Sequence, residues 1–304
     1  VIFAVGARFD DRVTNNPKKF CPNARIVHID IDPASIQKTV RHIEVPLVGP
    51  VKPVLADMVE MLNQMDVEPD QDALSAWWET INGWREKHGL WTGDRFTRRD
   101  KIMPQDVIRT LYEVTNGEAF ICSDVGQHQM FAAQYYKYDQ PRQWINSGGL
   151  GTMGFGLPAA MGVQLAHPDR HVAVVTGEGS IQMCIEELST CTQYNMPVKI
   201  INLNNAALGM VKQWQDMQYG GRYAASTYAD SLPDFVKLAE AYGHVGMIVT
   251  DPSELKAKME ECFAMKDRVV FMDIYIDPDE HVYPMQIPTG SMKDMILSKT
   301  ERTK

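Results

Sequence analysis

The 304-residue sequence lacks the marks of several large classes of protein. Its five cysteines are odd in number, scattered and without a CxxC pair, which excludes a complete disulfide framework and a cysteine metal site of that kind. No apolar run reaches the roughly 18 residues that a membrane helix needs. No Lys/Arg-rich run is present and the formal net charge is −9, so we expect no membrane and no nucleic-acid partner. The cysteine usage favours a cytoplasmic protein.

The bulk composition is that of an ordinary globular protein. Hydrophobic residues make up 44% and charged residues 23% of a chain long enough for about two domains. The sequence begins inside an apolar run, VIFAVG, without an initiator Met. We interpret this start as the middle of a domain, truncated at its N-terminus.

Apolar β-branched segments alternate with amphipathic segments along most of the chain. Strands are predicted at 1–6, 25–31, 118–124, 171–177, 198–205, 244–249 and 268–276, and helices at 51–65, 104–114, 181–193, 232–243 and 252–265. The polar segment 66–101 carries four of the six tryptophans and is interpreted as a linker with a surface helix. This alternation predicts an α/β fold with doubly wound parallel sheets, in which ligands bind at the carboxyl ends of the strands.

Residues 177–180, Gly-Glu-Gly-Ser, join a predicted buried strand to a helix. The glycines permit a tight turn and close approach of a ligand, and the free N–H groups at a helix start suit a phosphate. Asn205 ends the next strand, so the Glu178 carboxylate and an amide oxygen are expected at one sheet edge, where they would suit Mg²⁺. For either residue alone, a helix N-cap or a turn asparagine is the alternative interpretation. No GK[ST] follows, so a P-loop is excluded.

This pattern resembles the thiamine diphosphate signature, in which a GDG motif precedes an NN pair. The resemblance covers essentially the whole chain, and its long, distinctive segments are 123–134, 145–162, 204–215 and 280–288. They identify the sequence as similar to the C-terminal portion of the acetohydroxyacid synthase (acetolactate synthase) large catalytic subunit. The implied fold is the thiamine-diphosphate-binding fold, preceded by part of a Rossmann-like middle domain.

The resemblance implies that Glu178, Asn205 and the carbonyl of Ala207 bind Mg²⁺. The family has Asp at position 178, and the longer Glu puts the position of the ion in doubt. Met153 would force the bent shape of the cofactor, and the Gly151 carbonyl would accept from its aminopyrimidine. The thiamine diphosphate residues implied in this way are Val125, Gly126, Gln127, His128, Gly151, Met153, Gly177, Gly179, Ser180, Asn205, Leu208, Gly209 and Met210.

Three residues are implied to take part in catalysis: Met153, Gly151 and Trp214. Trp214 would shape the second-substrate pocket and favour 2-ketobutyrate over pyruvate. The substrate or herbicide channel would contain Asp11, Arg12, Lys212, Trp214 and Thr289. The alternatives are a satisfied structural histidine for His128 and core positions for Met153, Met210 and Trp214.

FAD is the third implied cofactor, with Gly6, Arg8, Asp30 and Ile31 as the matching residues. A surface turn is the alternative for Asp30. The chain departs from the family at Pro50, where an acid is usual, and at Ala206, where a larger polar residue is usual. A GxGxxG pattern at 149–154 is a weak dinucleotide fingerprint, because no clear strand is predicted before it.

The predicted domains are residues 1–68, the C-terminal part of the FAD-contacting middle domain, and 102–278, the pyrophosphate-binding domain. Residues 69–101 form the linker with its helix, and 279–304 a C-terminal tail near the active-site channel. The resemblance implies an enzyme that decarboxylates pyruvate and transfers the acetaldehyde unit to pyruvate or 2-ketobutyrate in branched-chain amino acid biosynthesis. Its partners would be a second copy, as a homodimer or tetramer, and a small regulatory subunit.

The glutamate that such enzymes use to protonate the aminopyrimidine lies in an N-terminal domain outside this sequence. We therefore expect the 304-residue chain to have no carboligase activity alone. One alternative is another thiamine-diphosphate enzyme, such as glyoxylate carboligase or pyruvate oxidase, against which the QWQ segment around Trp214 argues. The other is a non-catalytic remnant or assembly subunit, which Glu178 and Pro50 favour.

Overall fold

The structure is a computed structural model that describes residues 1–90, 100–228, 231–288 and 290–298. The chain divides into two compact units, with Val1–Gly83 and Tyr283–Lys304 in unit 1 and Trp84–Val282 in unit 2. The limits of these two units differ from the domain boundaries predicted after residues 68, 101 and 278. The predicted domains therefore stay a prediction. Within the described ranges, no helix is both long and apolar enough to cross a membrane.

Unit 1 contains a three-stranded parallel sheet in the order β1 (Ile2–Val5), β2 (Ile26–Asp30), β3 (Ile43–Val48). Its helices are α1 (Asp11–Thr14) and α2 (Val51–Gln64). The helix α3 (Gln71–His88), a surface helix as predicted, begins in unit 1 and continues past its limit at Gly83. The strand β3 was not predicted, because Pro46 interrupts its apolar pattern. Pro46 is exposed and β3 pairs only with β2 among the described strands, which is the edge position that tolerates a proline.

Unit 2 contains a six-stranded parallel sheet in the order β5-β4-β6-β7-β9-β8. The strands are β4 (Phe120–Ser123), β5 (Trp144–Asn146), β6 (Val172–Thr176), β7 (Lys199–Asn204), β8 (Val245–Val249) and β9 (Val270–Tyr275). All residues of β6 and β7 are buried, as expected for central strands covered on both faces. The carboxyl ends of β4, β6 and β7 therefore lie side by side, which is where the candidate site is expected.

The helices of unit 2 are α4 (Pro104–Val114), α5 (Gln127–Tyr135), α6 (Gly156–Ala166), α7 (Glu178–Ile181), α8 (Glu187–Gln193), α9 (Gly209–Gln218), α10 (Phe235–Ala241) and α11 (Leu255–Ala264). The predicted continuous helix at 181–193 is wrong, because a 3-10 turn at Gln182–Cys184 separates α7 from α8. Cys184 and Cys191 nevertheless belong to the buried core, where they act as small hydrophobic residues.

Two local expectations were incomplete around the glycine-rich segment. The short strand β5 lies just before the GxGxxG pattern, so the expectation of no strand there is wrong. Only three residues long and ending in Asn146, β5 shows no apolar run in the sequence. The helix α6 was also missed, since its residues are apolar on nearly every side and show no helical period.

A buried polar contact joins β7 to β9. Asp273 on β9 accepts hydrogen bonds from the side-chain amides of Asn202 (2.7 Å) and Asn204 (3.1 Å) on β7. Burial raises the pKa of Asp273, and the two amide donors oppose that rise. These bonds lie at the end of β7 that leads into the candidate site, so they fix the strand from which Asn205 extends.

Close packing of β8 against α10 leaves no space for a side chain at Gly246. A Cβ there would lie 2.7 Å from both the Cα and the carbonyl oxygen of Val236, which cannot move as a side-chain tip could. We expect Gly246→Ala to lower the free energy of unfolding by about 1–3 kcal/mol in urea titrations.

The control for that substitution is Gly162→Ala on α6. No atom lies within 4 Å of a Cβ at this helical position. We expect the control to leave stability unchanged or to raise it by up to about 1 kcal/mol, because alanine favours helix. Equal losses in the two variants would contradict the packing argument.

Candidate active site

The three predicted metal ligands meet at the carboxyl edge of the unit 2 sheet. Glu178 begins α7 directly after β6, and Asn205 follows the neighbouring strand β7. The main-chain N–H of Ala207 donates to Glu178 Oε1 at 2.6 Å and to Asn205 Oδ1 at 3.1 Å. A carboxylate oxygen and an amide oxygen from two strands thus converge on one N–H group.

The Glu178 carboxyl is only 1% exposed, and burial raises its pKa to about 7. Hydrogen bonds from main-chain N–H groups oppose this rise, whereas the charge of Asp273 adds to it. No basic side chain pairs with Glu178 among the residues that the structure describes. A buried carboxylate without a cation, beside an amide oxygen, is a donor set that fits Mg²⁺.

No group of three or more His, Cys, Asp or Glu side chains comes together as a metal site within the described residues. The predicted set is of a different kind, because it combines one carboxylate with an amide oxygen and a main-chain carbonyl. The structure brings the residues of this set together, and their role as ligands stays a prediction.

His128 lies on the other side of the same edge, on α5 after β4. Its ring packs against Gly126 and Gly177, where a Cβ would come within 2.7 Å and 2.9 Å of ring atoms. Burial lowers the pKa of His128 to about 3, so the imidazole is neutral. Its Nε2 has no hydrogen-bond partner among the described residues. That unpartnered buried nitrogen fits a contact with a polar ligand better than a purely structural histidine does.

The turn after β6 packs tightly against its neighbours. Ser180 donates from its hydroxyl to the carbonyl of Val125 (2.9 Å), which links α7 to the end of β4. A Cβ at Gly179 would collide with Leu208 and with the hydroxyl of Tyr228, so both side chains would have to move to admit a larger residue. Tyr228 was not predicted as a site residue, because it follows the main-chain bridge between Ala207 and Thr227 and belongs to no recognisable motif.

Asp124 is a second residue that the sequence analysis missed. It is fully buried, and its Oδ1 accepts from the N–H groups of Val125 (3.0 Å) and Gly154 (2.8 Å). Its Oδ2 accepts from the hydroxyl of Thr176 at the end of β6 (3.3 Å). Asp124 thus connects the ends of two strands to the loop that carries Met153. The signal in the sequence was an acid at the end of a predicted strand, next to the VGQH segment.

The remaining cofactor residues of unit 2 lie on the loop before α6 and at the start of α9. Gly151 adopts a positive φ of 74°, and Met153 is half-buried rather than part of the core. Three predicted residues at the start of α9 are also half-buried: Leu208, Gly209 and Met210. Half-buried positions at a strand edge leave apolar surface available to a ligand, which is compatible with the predicted roles.

Of the predicted channel residues, Lys212 and Trp214 lie on α9. Trp214 is half-buried, and Lys212 forms ion pairs with Asp216 (3.2 Å) and Asp279 (3.3 Å). Asp11 and Arg12 are exposed at the start of α1 in unit 1, and Thr289 lies outside the described residues. The channel set is therefore divided between the two units.

The predicted FAD residues cluster at the carboxyl edge of the unit 1 sheet. Gly6 follows β1 with a φ of 65° and donates to Ile29 (2.8 Å), while Asp30 ends β2 and accepts from the N–H of Asp32 (2.8 Å). Arg8 pairs with Asp10 at 2.8 Å, and Ile31 is 70% exposed. Pro50 precedes α2 without any side-chain cap. The adjacency of Gly6 and Asp30 is that expected of a nucleotide-binding edge.

Comparisons with known proteins agree with this geometry. A family model described as the C-terminal TPP binding domain of thiamine pyrophosphate enzymes matches residues 124–274, and one for their central domain matches 1–58. The chain belongs to the thiamine pyrophosphate enzymes. This membership confirms the predicted fold class and implies thiamine diphosphate with Mg²⁺ as cofactors, whereas FAD stays a prediction.

Three proteins similar to this chain are acetolactate synthases, which confirms the resemblance found in the sequence. The chain is 57% identical to the acetolactate synthase isozyme 3 large subunit of Escherichia coli (strain K12), over 100% of this chain and 52% of that one. It is 55% identical to the large subunit of Haemophilus influenzae, over 99% and 52%, and 41% identical to the acetolactate synthase of Mycobacterium bovis, over 97% and 48%. The chain spans about half the length of these curated relatives.

The raised pKa of Glu178 predicts a pH-dependent stability for the metal-free chain. The folded state binds the proton of the Glu178 carboxyl more tightly than the unfolded state does. The stabilisation of the fold by this proton is therefore complete below about pH 4.5, and it is lost as the pH rises through 7. We expect Glu178→Gln to gain roughly 3 kcal/mol over the unchanged chain between about pH 5 and pH 8.5, in urea titrations with EDTA. Glu186→Gln, at an exposed position, should show no such trend.

The hydrogen bonds of Asp124 predict which substitutions the position tolerates. Asp124→Asn keeps one oxygen for both N–H groups, and its new NH₂ can donate to Thr176, whose own hydrogen can turn to the carbonyl of Gly177. We expect it to lose under about 1 kcal/mol of unfolding free energy. Asp124→Ala leaves buried donors unpaired and should lose about 2–4 kcal/mol in the same titrations. Equal losses would show that charge, not the hydrogen bonds, matters.

Proposed function

We propose that this chain forms the pyrophosphate-binding part of an acetohydroxyacid synthase, which decarboxylates pyruvate and transfers the acetaldehyde unit to pyruvate or 2-ketobutyrate. The observation that carries the proposal is the convergence of Glu178 Oε1 and Asn205 Oδ1 on the N–H of Ala207. The names of the three relatives described above, which are acetolactate synthases, support the reaction class. Branched-chain amino acid biosynthesis would be the pathway served.

Each residue has a distinct part in the proposed mechanism. Glu178, Asn205 and the Ala207 carbonyl would hold Mg²⁺, which neutralises the diphosphate. The negative charge of the diphosphate would favour a proton on the unpartnered Nε2 of His128, which would then donate to a diphosphate oxygen. Gly126 and Gly177 leave room for the imidazole ring. When bound, thiamine diphosphate supplies the nucleophilic carbon that attacks the 2-ketoacid.

The second-substrate side of the proposed site is formed by α9. Trp214 would provide a large apolar surface that favours the longer side chain of 2-ketobutyrate over that of pyruvate. Met153 and Gly151, on the loop that Asp124 holds, would support the aminopyrimidine. Lys212 would be positioned near the channel by its ion pairs with Asp216 and Asp279.

The partners and location of the protein are also proposals. The proposed protein partners are a second copy of the chain and a small regulatory subunit. The proposed second organic cofactor is FAD, held by Gly6, Arg8, Asp30 and Ile31. The proposed location is the cytoplasm. We further propose that the 304-residue chain alone forms no acetolactate from pyruvate. A colour assay for acetolactate tests this directly, and turnover by the isolated chain would refute it.

Magnesium-dependent binding of thiamine diphosphate, measured by calorimetry, tests the proposed function. The chain would be joined to the N-terminal half of the Escherichia coli relative and compared with Glu178→Asp, Glu178→Gln and, as control, Glu186→Gln. We expect tight binding by the unchanged protein and the control, and at least about tenfold weaker binding by Glu178→Gln. Binding recovered only by Glu178→Asp would favour a non-catalytic remnant, and binding that is insensitive to position 178 would reject the site.

A further inference from the structure

A row of three side-chain amides crosses the candidate site and begins at a main-chain peptide. Gln213, on α9, is fully buried. Its Oε1 accepts from the N–H of Val282 (2.9 Å), and its Nε2 donates to the carbonyl of Val282 (3.0 Å). A main-chain N–H can only donate and a carbonyl can only accept. The orientation of the Gln213 amide is therefore fixed by the main chain after β9.

That orientation is passed on to Gln127. The Oε1 of Gln213 also accepts from the Nε2 of Gln127 at 2.8 Å. Since the NH₂ group of Gln127 is used there, its oxygen faces the other way, and it accepts from Nδ2 of Asn205 (3.2 Å). Asn205 must then present its Oδ1 on the opposite side, towards Glu178. The main-chain groups of Val282 thus determine the orientation of all three side-chain amides, those of Gln213, Gln127 and Asn205.

The far end of the row agrees with the near end. Asn205 Oδ1 accepts from the N–H of Ala207 (3.1 Å), which is again a group that can only donate. Gln127 is 6% exposed and Gln213 is not exposed at all, so water does not compete with the bond between them. Gly209 packs against the junction, where a Cβ would lie 2.6 Å from Asn205 Nδ2 and even closer to the oxygen of Gln127. Reversing any one amide would place two donors or two acceptors face to face.

We propose that Gln213 is a positioning residue that, through Gln127, orients the Asn205 amide so that its oxygen rather than its NH₂ group faces the bound Mg²⁺. The inference rests on the proposed function in one respect, the role of Asn205 as a magnesium ligand. The orientation itself is a property of the metal-free chain. Residues that orient metal ligands typically change metal affinity about 10- to 100-fold when they are replaced.

Two substitutions at position 213 separate orientation from simple packing. Gln213→Met keeps the length of the side chain but removes the acceptor for Gln127. Gln213→Glu, in the neutral form that full burial favours, keeps the acceptor for Gln127 and for the N–H of Val282 and donates from its OH group to the Val282 carbonyl. Gln218→Met, at the exposed end of the same helix, is the matched control. If Gln213→Met does not fold, Gln213→Glu and Gly209→Ala still test the row, since the first preserves it and the second crowds it.

The first measurement is hydrogen exchange of the side-chain amides of Gln127 and Asn205 by NMR, in the chain without metal or cofactor. We expect at least about tenfold faster exchange in Gln213→Met or Gly209→Ala, and no change in Gln213→Glu or Gln218→Met. Unchanged exchange in both disrupting variants would overturn the proposed row. This measurement does not depend on whether the chain binds thiamine diphosphate.

The second measurement is the magnesium concentration that half-saturates thiamine diphosphate binding, in the joined protein described above. We expect it to rise about 10- to 100-fold in Gln213→Met and to stay within about threefold in Gln213→Glu and Gln218→Met. An unchanged value in Gln213→Met, with altered amide exchange, would overturn the positioning role. If Asn205→Ala also binds normally, the proposed function fails instead, and the exchange data still decide whether Gln213 orients the amide.

Discussion

The parallel pairing of β6 with β7 is the constraint on which the candidate site depends. Thr176 lies opposite Asn202 in this register, so each strand ends within a few residues of the same point. Glu178 and Asn205 are therefore brought to one edge although they are far apart in the sequence. A shift of one residue in this pairing would turn the side chains of one strand to its other face. The buried contact of Asp273 with Asn202 and Asn204 opposes such a shift from the β9 side.

Around that edge, buried polar groups are hydrogen-bonded to one another. The low polarity of the interior makes the direction of these hydrogen bonds strongly defined. Asp124 gathers two main-chain N–H groups and a hydroxyl, and the Gln213 row does the same with amides. Each arrangement holds an irregular part of the chain in one conformation, a loop in one case and the segment after a strand in the other. Glu178 is the exception, since its charge has no basic partner among the described residues.

The sequence predicted the strands and helices that have a clear local pattern of apolar residues. It did not predict the elements that lack such a pattern. The strands β6 and β7 were found because they are continuous apolar runs, and α4 because its apolar face has a clear helical period. β3 and β5 were missed, since one carries Pro46 and the other has three residues. Within the site, motifs located Glu178, Asn205 and His128. Asp124, Gln213 and Tyr228 escaped, because their roles depend on contacts made by distant parts of the chain, which no spacing reveals.

The hydrogen bonds between the Gln213 side chain and the main chain of Val282 determine which substitutions each of these two positions can tolerate. Position 282 takes part only through its N–H and carbonyl groups, which every amino acid except proline possesses. Any apolar side chain of suitable volume can therefore stand there without disturbing the polarity of the site. Position 213, by contrast, needs a donor and an acceptor on one planar group of a particular length, a requirement that glutamine meets and that only a protonated glutamic acid could match. Two residues in direct contact are thus under very different restrictions, one of volume and one of chemistry.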